Sequence, residues 1–238
     1  FFCGSVLMRS AGCIVNDIID KDFDKNVERT KNRPIASGKI TTKLAIIYSI
    51  ILCLLAFFVL LNFNFLTVLL AIASMPFAFT YPLMKRYTYW PQLFLGFTFN
   101  YGLLLGWTAI NESLSLIPII FYFGAIFWTL GYDTIYGFQD IEDDEIIGVK
   151  STSIKFKESP KIFLSICYSL FIFCYLIMGL KLSLNNYFFA GIILAIIHLF
   201  FFQILNFDKK DKKKNLKIFK SNNLLGLIVL ISILIGKI

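Results

Sequence analysis

The stretch Asn16-Asp17-Ile18-Ile19-Asp20-Lys21-Asp22-Phe23-Asp24 follows directly on an apolar segment that begins at Phe1. Asp17, Asp20 and Asp24 stand at positions i, i+3 and i+7, so on a helix they project from one face. Like charges at this spacing repel one another, and burial adds the free-energy cost of removing each charge from water. Mg²⁺ removes the conflict, because it takes oxygen ligands, usually one or two carboxylates plus substrate phosphates. The stretch therefore predicts a metal and diphosphate site, with solvated helix-end carboxylates as the alternative.

The composition of the chain is that of a membrane protein. Of its 238 residues 58% are hydrophobic and 16% are charged, and the mean hydropathy is +0.74. A soluble domain is about half apolar and about a quarter charged. Apolar runs close to the ~20 residues needed to cross a bilayer recur along the sequence. The prediction is an all-α, polytopic bundle of membrane-spanning helices, already inside an apolar run at its first residue.

Eight spans are predicted from these runs, and the loops between them alternate in character. The spans are placed at 1–17, 43–61, 65–83, 91–111, 117–137, 162–180, 187–206 and 223–238. Nearly all Lys, Arg, Asp and Glu residues lie in or beside four connections, at 18–42, 84–90, 138–161 and 207–222. The positive-inside rule places this side in the cytoplasm or its equivalent. A net charge of +8 would suggest nucleic acid in a soluble protein, but here the basic run 208–220 is predicted to be a solvated loop that touches anionic lipid headgroups.

A second acidic element ends the fifth span. Asp140 and Asp144 are four residues apart, and Asp133 lies seven residues before Asp140, deeper on the same helical face. Each acidic element is followed by a basic stretch that also bears hydroxyl groups: Arg29-Thr30-Lys31-Asn32-Arg33 after the first and Lys150-Ser151-Thr152 after the second. This predicts a weak internal repeat whose halves face each other across a cavity.

Two carboxylate clusters beside several cations suit a ligand with a diphosphate head and a long hydrocarbon tail. Metal ions would bridge the carboxylates to the diphosphate, and Arg29, Arg33 and Lys150 would neutralise its remaining charge. Stabilising the departing diphosphate lowers the barrier to breaking an allylic C–O bond. Aromatic faces and exclusion of water would protect the carbocation until a nucleophile captures it.

These motifs resemble the N-D-x-x-D-x-x-x-D and D-x-x-x-D signatures of the UbiA superfamily of intramembrane prenyltransferases. The matching residues are Asn16, Asp17, Asp20 and Asp24, then Asp140 and Asp144. Four further stretches are most similar to its 4-hydroxybenzoate polyprenyltransferase branch, which feeds ubiquinone synthesis: Asn32-Arg33-Pro34, 81–88, Tyr132-Asp133-Thr134 and 148–152.

The resemblance covers essentially the whole chain and implies nine helices in a ring around a lateral cavity open to lipid. With eight spans present, 1–238 is expected to be a single prenyltransferase domain that lacks its first helix. The resemblance also implies Mg²⁺ as cofactor, polyprenyl diphosphate and 4-hydroxybenzoate as substrates, and a bacterial or mitochondrial inner membrane. It implies metal binding by Asp17, Asp20, Asp24, Asp140 and Asp144, and substrate binding by Asn16, Arg29, Arg33, Lys85 and Lys150.

Two ionisable residues inside the spans are candidates for catalysis. Arg9 lies seven residues before Asn16, about 10 Å deeper at 1.5 Å per residue. It is predicted to bind the carboxylate or phenol of an aromatic acceptor, or else to be a buried partner of Asp133. Asp133 would either ligate the metal or orient the acceptor hydroxyl. Lys85 and Arg86, on the short connection after the third span, would reach the diphosphate or only anchor to lipid, and the resemblance favours the diphosphate for Lys85.

Two other functions are consistent with these patterns. A UbiA-type enzyme with a different acceptor is the nearest alternative. A secondary transporter would also use ionisable residues inside its spans and a pseudo-repeat. Transport is disfavoured, because the motif carboxylates crowd one interface and only Arg9, Asp133 and His198 lie inside the spans away from their ends.

Overall fold

The computed structural model describes residues 1–28 and 30–238, and these residues form helices, turns and loops without a strand. Eight helical segments in this part of the chain are long and apolar enough to cross a bilayer: Phe2–Ile19, Thr42–Leu60, Phe65–Tyr87, Pro91–Asn111, Leu116–Gly137, Pro160–Lys181, Asn186–Ile204 and Lys212–Gly236. The prediction of eight spans in an all-α protein is confirmed. Most bounds differ from the predicted ones by a few residues.

The chain divides into two compact units, and unit 1 comprises Phe1–Tyr87 and Leu105–Ser113. Within it, a single 3₁₀ turn, Tyr81–Leu83, separates the helices at Phe65–Thr80 and Met84–Tyr87. Its helices are α1 (Phe2–Ile19), α2 (Lys21–Asp24), α3 (Thr42–Leu60), α4 (Phe65–Thr80), α5 (Met84–Tyr87) and the greater part of the helix at Gly102–Asn111.

Unit 1 is built on the packing of α1 against α3. The buried residues of α3 are Ala45, Ser49 and Ala56, which lie on one face, and α1 contributes Ala11. Small residues at such an interface let two helices approach closely in a membrane. The connection before α4 is held by Asn64, whose side chain caps α4 through the Thr67 N–H at 3.0 Å.

Unit 2 comprises Thr88–Leu104 and Leu114–Ile238. Within it, an eight-residue π-helical segment, Ile197–Ile204, directly continues the helix at Asn186–Ile196. The helices are α6 (Pro91–Phe99), the start of α7 (Gly102–Asn111), α8 (Leu116–Gly137), α9 (Ile141–Ile147), α10 (Thr152–Lys155), α11 (Pro160–Lys181), α12 (Asn186–Ile196), α13 (Lys212–Lys220) and α14 (Asn222–Gly236).

The core of unit 2 is aromatic. Tyr168, Phe171 and Tyr175 lie at i, i+3 and i+7 on α11 and are fully buried. Helix α8 packs against α11 and α6, and α12 packs against α14. Gly191 allows this last approach, because a Cβ atom there would collide with the side chain of Ser232.

A buried polar network links four helical segments of unit 2. Asn222 Oδ1 accepts from Trp128 Nε1 at 2.8 Å and from Gln203 Nε2 at 3.0 Å. Gln203 Oε1 accepts from the Tyr168 hydroxyl at 2.6 Å, and Gln203 Nε2 lies 3.2 Å from His198 Nδ1. Hydrogen bonds between spans satisfy polar side chains that lipid cannot, so this network ties α8, α11, the π-helical segment and α14 together.

The basic region 207–222, predicted to be a solvated loop, contains a helix. Helix α13 begins after Asp211, whose side chain caps the Lys214 N–H at 2.9 Å. Asn215 and Ile218, one turn apart, are buried, and α13 packs against α8. The lysines of α13 remain exposed, so the predicted basic surface persists on a helical scaffold.

Large apolar side chains are exposed along the spans, for example Ile50, Leu54 and Phe58 on α3. An apolar surface of this kind would be unstable in water but suits the hydrocarbon of a bilayer. The protein is therefore an integral membrane protein.

Candidate active site

The first acidic element lies in unit 1, where α1 gives way to α2. Asp20 has φ −92° and ψ 2° and separates the two helices, so the three carboxylates do not share one continuous helix. The helical hydrogen bonds nevertheless persist, from the Asp20 N–H to the Asn16 carbonyl at 2.9 Å and from the Asp24 N–H to the Asp20 carbonyl at 2.8 Å. The one-turn spacing of the motif is therefore kept through the junction.

Arg33 joins two of these carboxylates. Its Nη1 atom lies 2.9 Å from Asp17 Oδ1 and 3.0 Å from Asp24 Oδ2. The Thr30 hydroxyl donates to the backbone carbonyl of Asp24 at 3.1 Å, which fixes the returning loop against α2. The structure thus brings together two predicted metal ligands and one predicted diphosphate-binding cation.

Asp20 is the most deeply buried carboxylate of the motif, with 4% of the residue exposed. Its Oδ2 atom is 2.6 Å from Lys85 Nζ, so Lys85 contacts the acidic element directly. Burial raises the pKa of the Asp20 carboxyl above its ordinary value, and the charge and hydrogen bond of Lys85 oppose that shift only in part. The ionised form of Asp20 would be stabilised by a further cation.

The other oxygen of the same carboxylate, Asp20 Oδ1, is buried and has no hydrogen-bond partner among the described residues. An unpartnered buried carboxylate oxygen is costly unless something donates to it or coordinates it. No group of three His, Cys, Asp or Glu side chains within the described residues is arranged to hold a metal ion alone. Mg²⁺ fits the donors that are present, since it uses one or two carboxylates together with water and substrate phosphates.

Arg86 fixes the junction from the other side. Its Nη2 atom donates to the backbone carbonyl of Ile19, the last residue of α1, at 2.7 Å. The guanidinium also lies 4.9 Å from the ring centroid of Phe23, in α2. Helix α5, at the end of the third span, thus contributes two cations, Lys85 and Arg86, to this element.

The second acidic element lies in unit 2, between α8 and α9. Asp133 is in the last two turns of α8, Asp140 precedes α9, and Asp144 lies within α9; all three are partly buried. The Asp144 N–H donates to the Asp140 carbonyl at 2.8 Å, which confirms the one-turn spacing of this pair. Gly148 ends α9 at φ 79°, a left-handed conformation that favours glycine, and turns the chain toward Lys150.

The stretch after Gly148 is anchored by Thr152. The Thr152 hydroxyl is 2.6 Å from that of Thr134 on α8, and its backbone N–H donates to Gln92 Oε1 at 3.0 Å. The Ser153 hydroxyl donates to the Thr134 carbonyl at 2.7 Å. These anchors position Asp133 and Lys150, and sequence reasoning did not identify Gln92. The available signal was an amide side chain within an apolar span.

The remaining predicted site residues are placed as follows. Asn16 is partly buried in the last two turns of α1, and the Lys150 ammonium lies 5.7 Å from the ring centroid of Tyr89. Arg9 is exposed on α1. Arg29 lies outside the described residues.

The fold and these two elements define an integral membrane protein that gathers carboxylates and cations at the ends of apolar helices. The sequence profile of the UbiA prenyltransferase family matches residues 1–225. The chain belongs to the UbiA prenyltransferase family.

Curated relatives resemble the chain throughout its length. The mitochondrial 4-hydroxybenzoate polyprenyltransferases of Rattus norvegicus and Homo sapiens are 40% and 41% identical over 239 residues, which is 100% of this chain and 64% of each relative. The chain thus spans less than two thirds of these relatives. The 4-hydroxybenzoate octaprenyltransferase of Blochmanniella pennsylvanica is 36% identical over 233 residues, 98% of this chain and 80% of the relative.

Solved structures share the fold at low identity. A UbiA homolog from Aeropyrum pernix K1, in its apo form, has a TM-score of 0.78 at 22% identity and covers 100% of this chain and 91% of its own. A UbiA homolog from Archaeoglobus fulgidus bound to GPP and Mg²⁺ has a TM-score of 0.70 at 16% identity. The match covers 100% of this chain and 89% of that homolog. The all-helical architecture is therefore that of the intramembrane prenyltransferases.

Proposed function

We propose that this chain transfers a polyprenyl group from polyprenyl diphosphate to 4-hydroxybenzoate. The ring carbon ortho to the hydroxyl forms the new C–C bond, the allylic C–O bond of the donor breaks, and diphosphate and the proton of that ring carbon are released. The observation that carries this proposal is the similarity to both bacterial and mitochondrial enzymes named for prenyl transfer to 4-hydroxybenzoate, along nearly all of the chain.

The five motif carboxylates are proposed to hold Mg²⁺: Asp17, Asp20, Asp24, Asp140 and Asp144. Bound Mg²⁺ would bridge carboxylates to the diphosphate and stabilise the negative charge that develops on it as the C–O bond breaks. The unpartnered Oδ1 atom of Asp20 supports this role, as does the presence of Mg²⁺ and a prenyl diphosphate in the relative from Archaeoglobus fulgidus.

The basic residues are proposed to bind the diphosphate. Arg33 and Lys85 neutralise the acidic element in the structure through their contacts with Asp17, Asp24 and Asp20. When the carboxylates are neutralised by a bound cation instead, the guanidinium and the ammonium can donate to diphosphate oxygens. Asn16, Arg29 and Lys150 are proposed to donate to the same group.

Arg9 and Asp133 are proposed to act on the aromatic acceptor. A guanidinium can hold a carboxylate through two parallel hydrogen bonds, so Arg9 would bind the acid group of 4-hydroxybenzoate. Asp133 would accept a hydrogen bond from the phenol and so orient the ring toward the allylic carbon. The aromatic side chains of unit 2 and the surrounding lipid would keep water from the cationic prenyl group.

We further propose that residues 1–238 act as one prenyltransferase domain in a bacterial or mitochondrial inner membrane. The charged loops would face the cytoplasm or the matrix, as the positive-inside rule predicts. Both settings occur among the relatives, which include bacterial and mitochondrial proteins.

The experiment that tests the proposal incubates membranes containing the chain with labelled 4-hydroxybenzoate, Mg²⁺ and polyprenyl diphosphates of several lengths. The expected product is a prenylated 4-hydroxybenzoate that is absent when EDTA replaces Mg²⁺ and absent from membranes carrying Asp20→Asn. Product from a different aromatic acid, with none from 4-hydroxybenzoate, would overturn the acceptor but keep the reaction class. No prenylated product with any acceptor would overturn the proposed reaction.

A further inference from the structure

A cavity of about 560 Å³ lies in unit 2 and is lined by none of the motif residues. It forms where α11 begins and where the chain leaves the π-helical segment for α13. Pro160 and Phe207 are buried at its base. The cavity thus lies at the end of two spans, on the side of the helices that carries the charged loops.

Three lysines line this cavity: Lys161, Lys209 and Lys214. Lys209 Nζ donates to the Glu158 carbonyl at 3.1 Å, and Lys161 Nζ donates to the Leu205 carbonyl at 3.4 Å. None of the three forms an ion pair with a carboxylate of a described residue.

Two carboxylates, Glu158 and Asp208, also line the cavity, which leaves its lining with a net positive charge. Asp208 Oδ1 already accepts from the backbone N–H of Lys210 at 3.0 Å. The charge balance and the lack of ion pairs at the lysines therefore favour an anionic occupant.

The apolar part of the lining continues along the spans. Ile162 on α11 and Leu205 beyond the π-helical segment are each 65% exposed. One turn deeper on the same helices, Ile166 and Phe201 are also exposed. Since α11 and the π-helical segment pack against each other, these exposed side chains extend the apolar part of the cavity lining onto the lipid-facing surface of the two helices.

We propose that this cavity binds the head group of an anionic phospholipid, with the phosphate at the three lysines and an acyl chain along the exposed apolar side chains of Ile162 and Leu205. Basic cavities between membrane helices are suited to such head groups, because lysine ammonium groups provide charge while neighbouring apolar side chains face the acyl chains. A free phosphate shares the head-group chemistry but would not use Ile162 or Leu205, so these exposed apolar side chains favour a lipid. This inference does not depend on the proposed reaction.

The test measures lipid binding to the purified full chain in detergent micelles by native mass spectrometry and by thermal unfolding. The probes are phosphatidylglycerol, phosphatidylcholine and inorganic phosphate. We expect phosphatidylglycerol to bind and raise the melting temperature, and the other two probes to do neither. A lysine near an anionic lipid is worth roughly a factor of five in affinity, so a Lys161→Gln, Lys209→Gln, Lys214→Gln variant should lose about a hundredfold.

The matched control removes the same charge from the same region without touching the cavity: Lys213→Gln, Lys217→Gln, Lys220→Gln. It should keep its phosphatidylglycerol affinity within about twofold of the parent if the site is local, because the side chains of Lys213, Lys217 and Lys220 do not line the cavity. Equal losses in both triple variants would overturn the site and leave only general surface attraction. Equal binding of phosphatidylcholine would overturn the anionic head group, and equal stabilisation by inorganic phosphate would overturn the lipid. Should the cavity variant fail to fold, single substitutions at Lys209 and Lys214 give the same decision, with about a fivefold loss expected for each.

Discussion

At the scale of single residues, Asp20 combines features that a purely structural carboxylate would avoid. It is buried, one oxygen is paired with Lys85, and the other has no partner among the described residues. Because burial raises its pKa, the charged form is less favourable in the folded protein than in the unfolded chain. Without a ligand the group therefore weakens the fold as the pH rises from its ordinary pKa through the raised one.

The first prediction follows from that charge. Asp20→Asn and Asp140→Asn should each lower prenyl transfer by at least about a hundredfold, because an amide keeps the shape but loses the charge that helps to stabilise a departing diphosphate. Folding should be preserved, since an amide at position 20 avoids the cost of burying a carboxylate. Turnover in membranes and the melting temperature of the purified variants are the measurements.

Asp22→Asn is the matched control for Asp20→Asn. Asp22 lies two residues after Asp20, is exposed, and pairs with Lys25 at 3.1 Å. Loss of the Asp22 charge should therefore leave activity within about twofold of the parent, because exposed ion pairs contribute little. In the parent, Mg²⁺ and polyprenyl diphosphate together should raise the melting temperature, because a ligand at a hundredfold excess over its Kd adds about 2.7 kcal/mol to the free energy of unfolding. Wild-type turnover or an undiminished shift in Asp20→Asn would remove Asp20 from the metal site.

The second prediction separates two roles for Arg9. If Arg9 binds the acceptor, Arg9→Lys should raise the KM for 4-hydroxybenzoate by about tenfold and leave that for the prenyl donor nearly unchanged. Lysine keeps the charge but cannot form the two parallel hydrogen bonds that a planar guanidinium makes with a carboxylate. An unchanged acceptor KM in Arg9→Lys would exclude the substrate role.

The structural alternative for Arg9 has its own signature. If Arg9 only neutralises Asp133, Arg9→Ala should lower the melting temperature, and combining it with Asp133→Asn should restore much of the loss, because no unpaired charge then remains.

At the scale of elements, the stretch that carries Lys150 depends on a contact between distant parts of unit 2. Gln92, near the start of α6, accepts from the N–H of Thr152 at the start of α10, and both residues are buried. The Thr152 hydroxyl in turn meets Thr134 on α8. One buried amide therefore sets the position of a basic residue and of the helix end that bears Asp133.

The third prediction concerns this anchor. Gln92→Met fills a similar volume but leaves the Thr152 N–H without its acceptor, which should cost about 1–3 kcal/mol of stability. Displacement of Lys150 should raise the KM for the prenyl donor. Thermal unfolding and steady-state kinetics check both effects.

Asn206→Leu is the control for Gln92→Met. Among the described residues, its side-chain amide donates only to the Phe202 carbonyl in its own helical turn, at 2.8 Å, so its loss should cost less than about 1 kcal/mol. Equal destabilisation by the two substitutions would show that the Gln92–Thr152 hydrogen bond contributes no more to stability than a local hydrogen bond within one helical turn.

Helix α13 shows why an element can escape sequence analysis. Its lysines are typical of a solvated loop, and only two of its nine residues, Asn215 and Ile218, are buried. Asn215 is buried because it bonds the preceding loop, donating to the Asp208 carbonyl at 2.7 Å. Packing against α8 stabilises a helix that its composition alone would not predict.

At the scale of the whole molecule, the alternation of charged and neutral connections predicts the arrangement of the chain across the membrane. The fourth prediction is that single cysteines at Lys212 and Asn64, introduced where the other thiols are masked, react with an impermeant reagent from opposite sides. Lys212 belongs to the charged set and Asn64 to a nearly neutral connection. Labelling of both from the same side would overturn the order of the eight spans.

The sequence by itself determined the eight apolar spans. In lipid, every backbone N–H and C=O group must be hydrogen-bonded within the protein, so an apolar run long enough to cross the bilayer forms a helix. It also determined the spacing of both acidic motifs, which depends on neighbours three or four residues away. Only the tertiary structure decided that Arg33 bridges Asp17 and Asp24, that Lys85 pairs with Asp20, and that Gln92 anchors Thr152. These pairs join residues up to 65 positions apart, as between Asp20 and Lys85, so chain packing and not local periodicity fixes them.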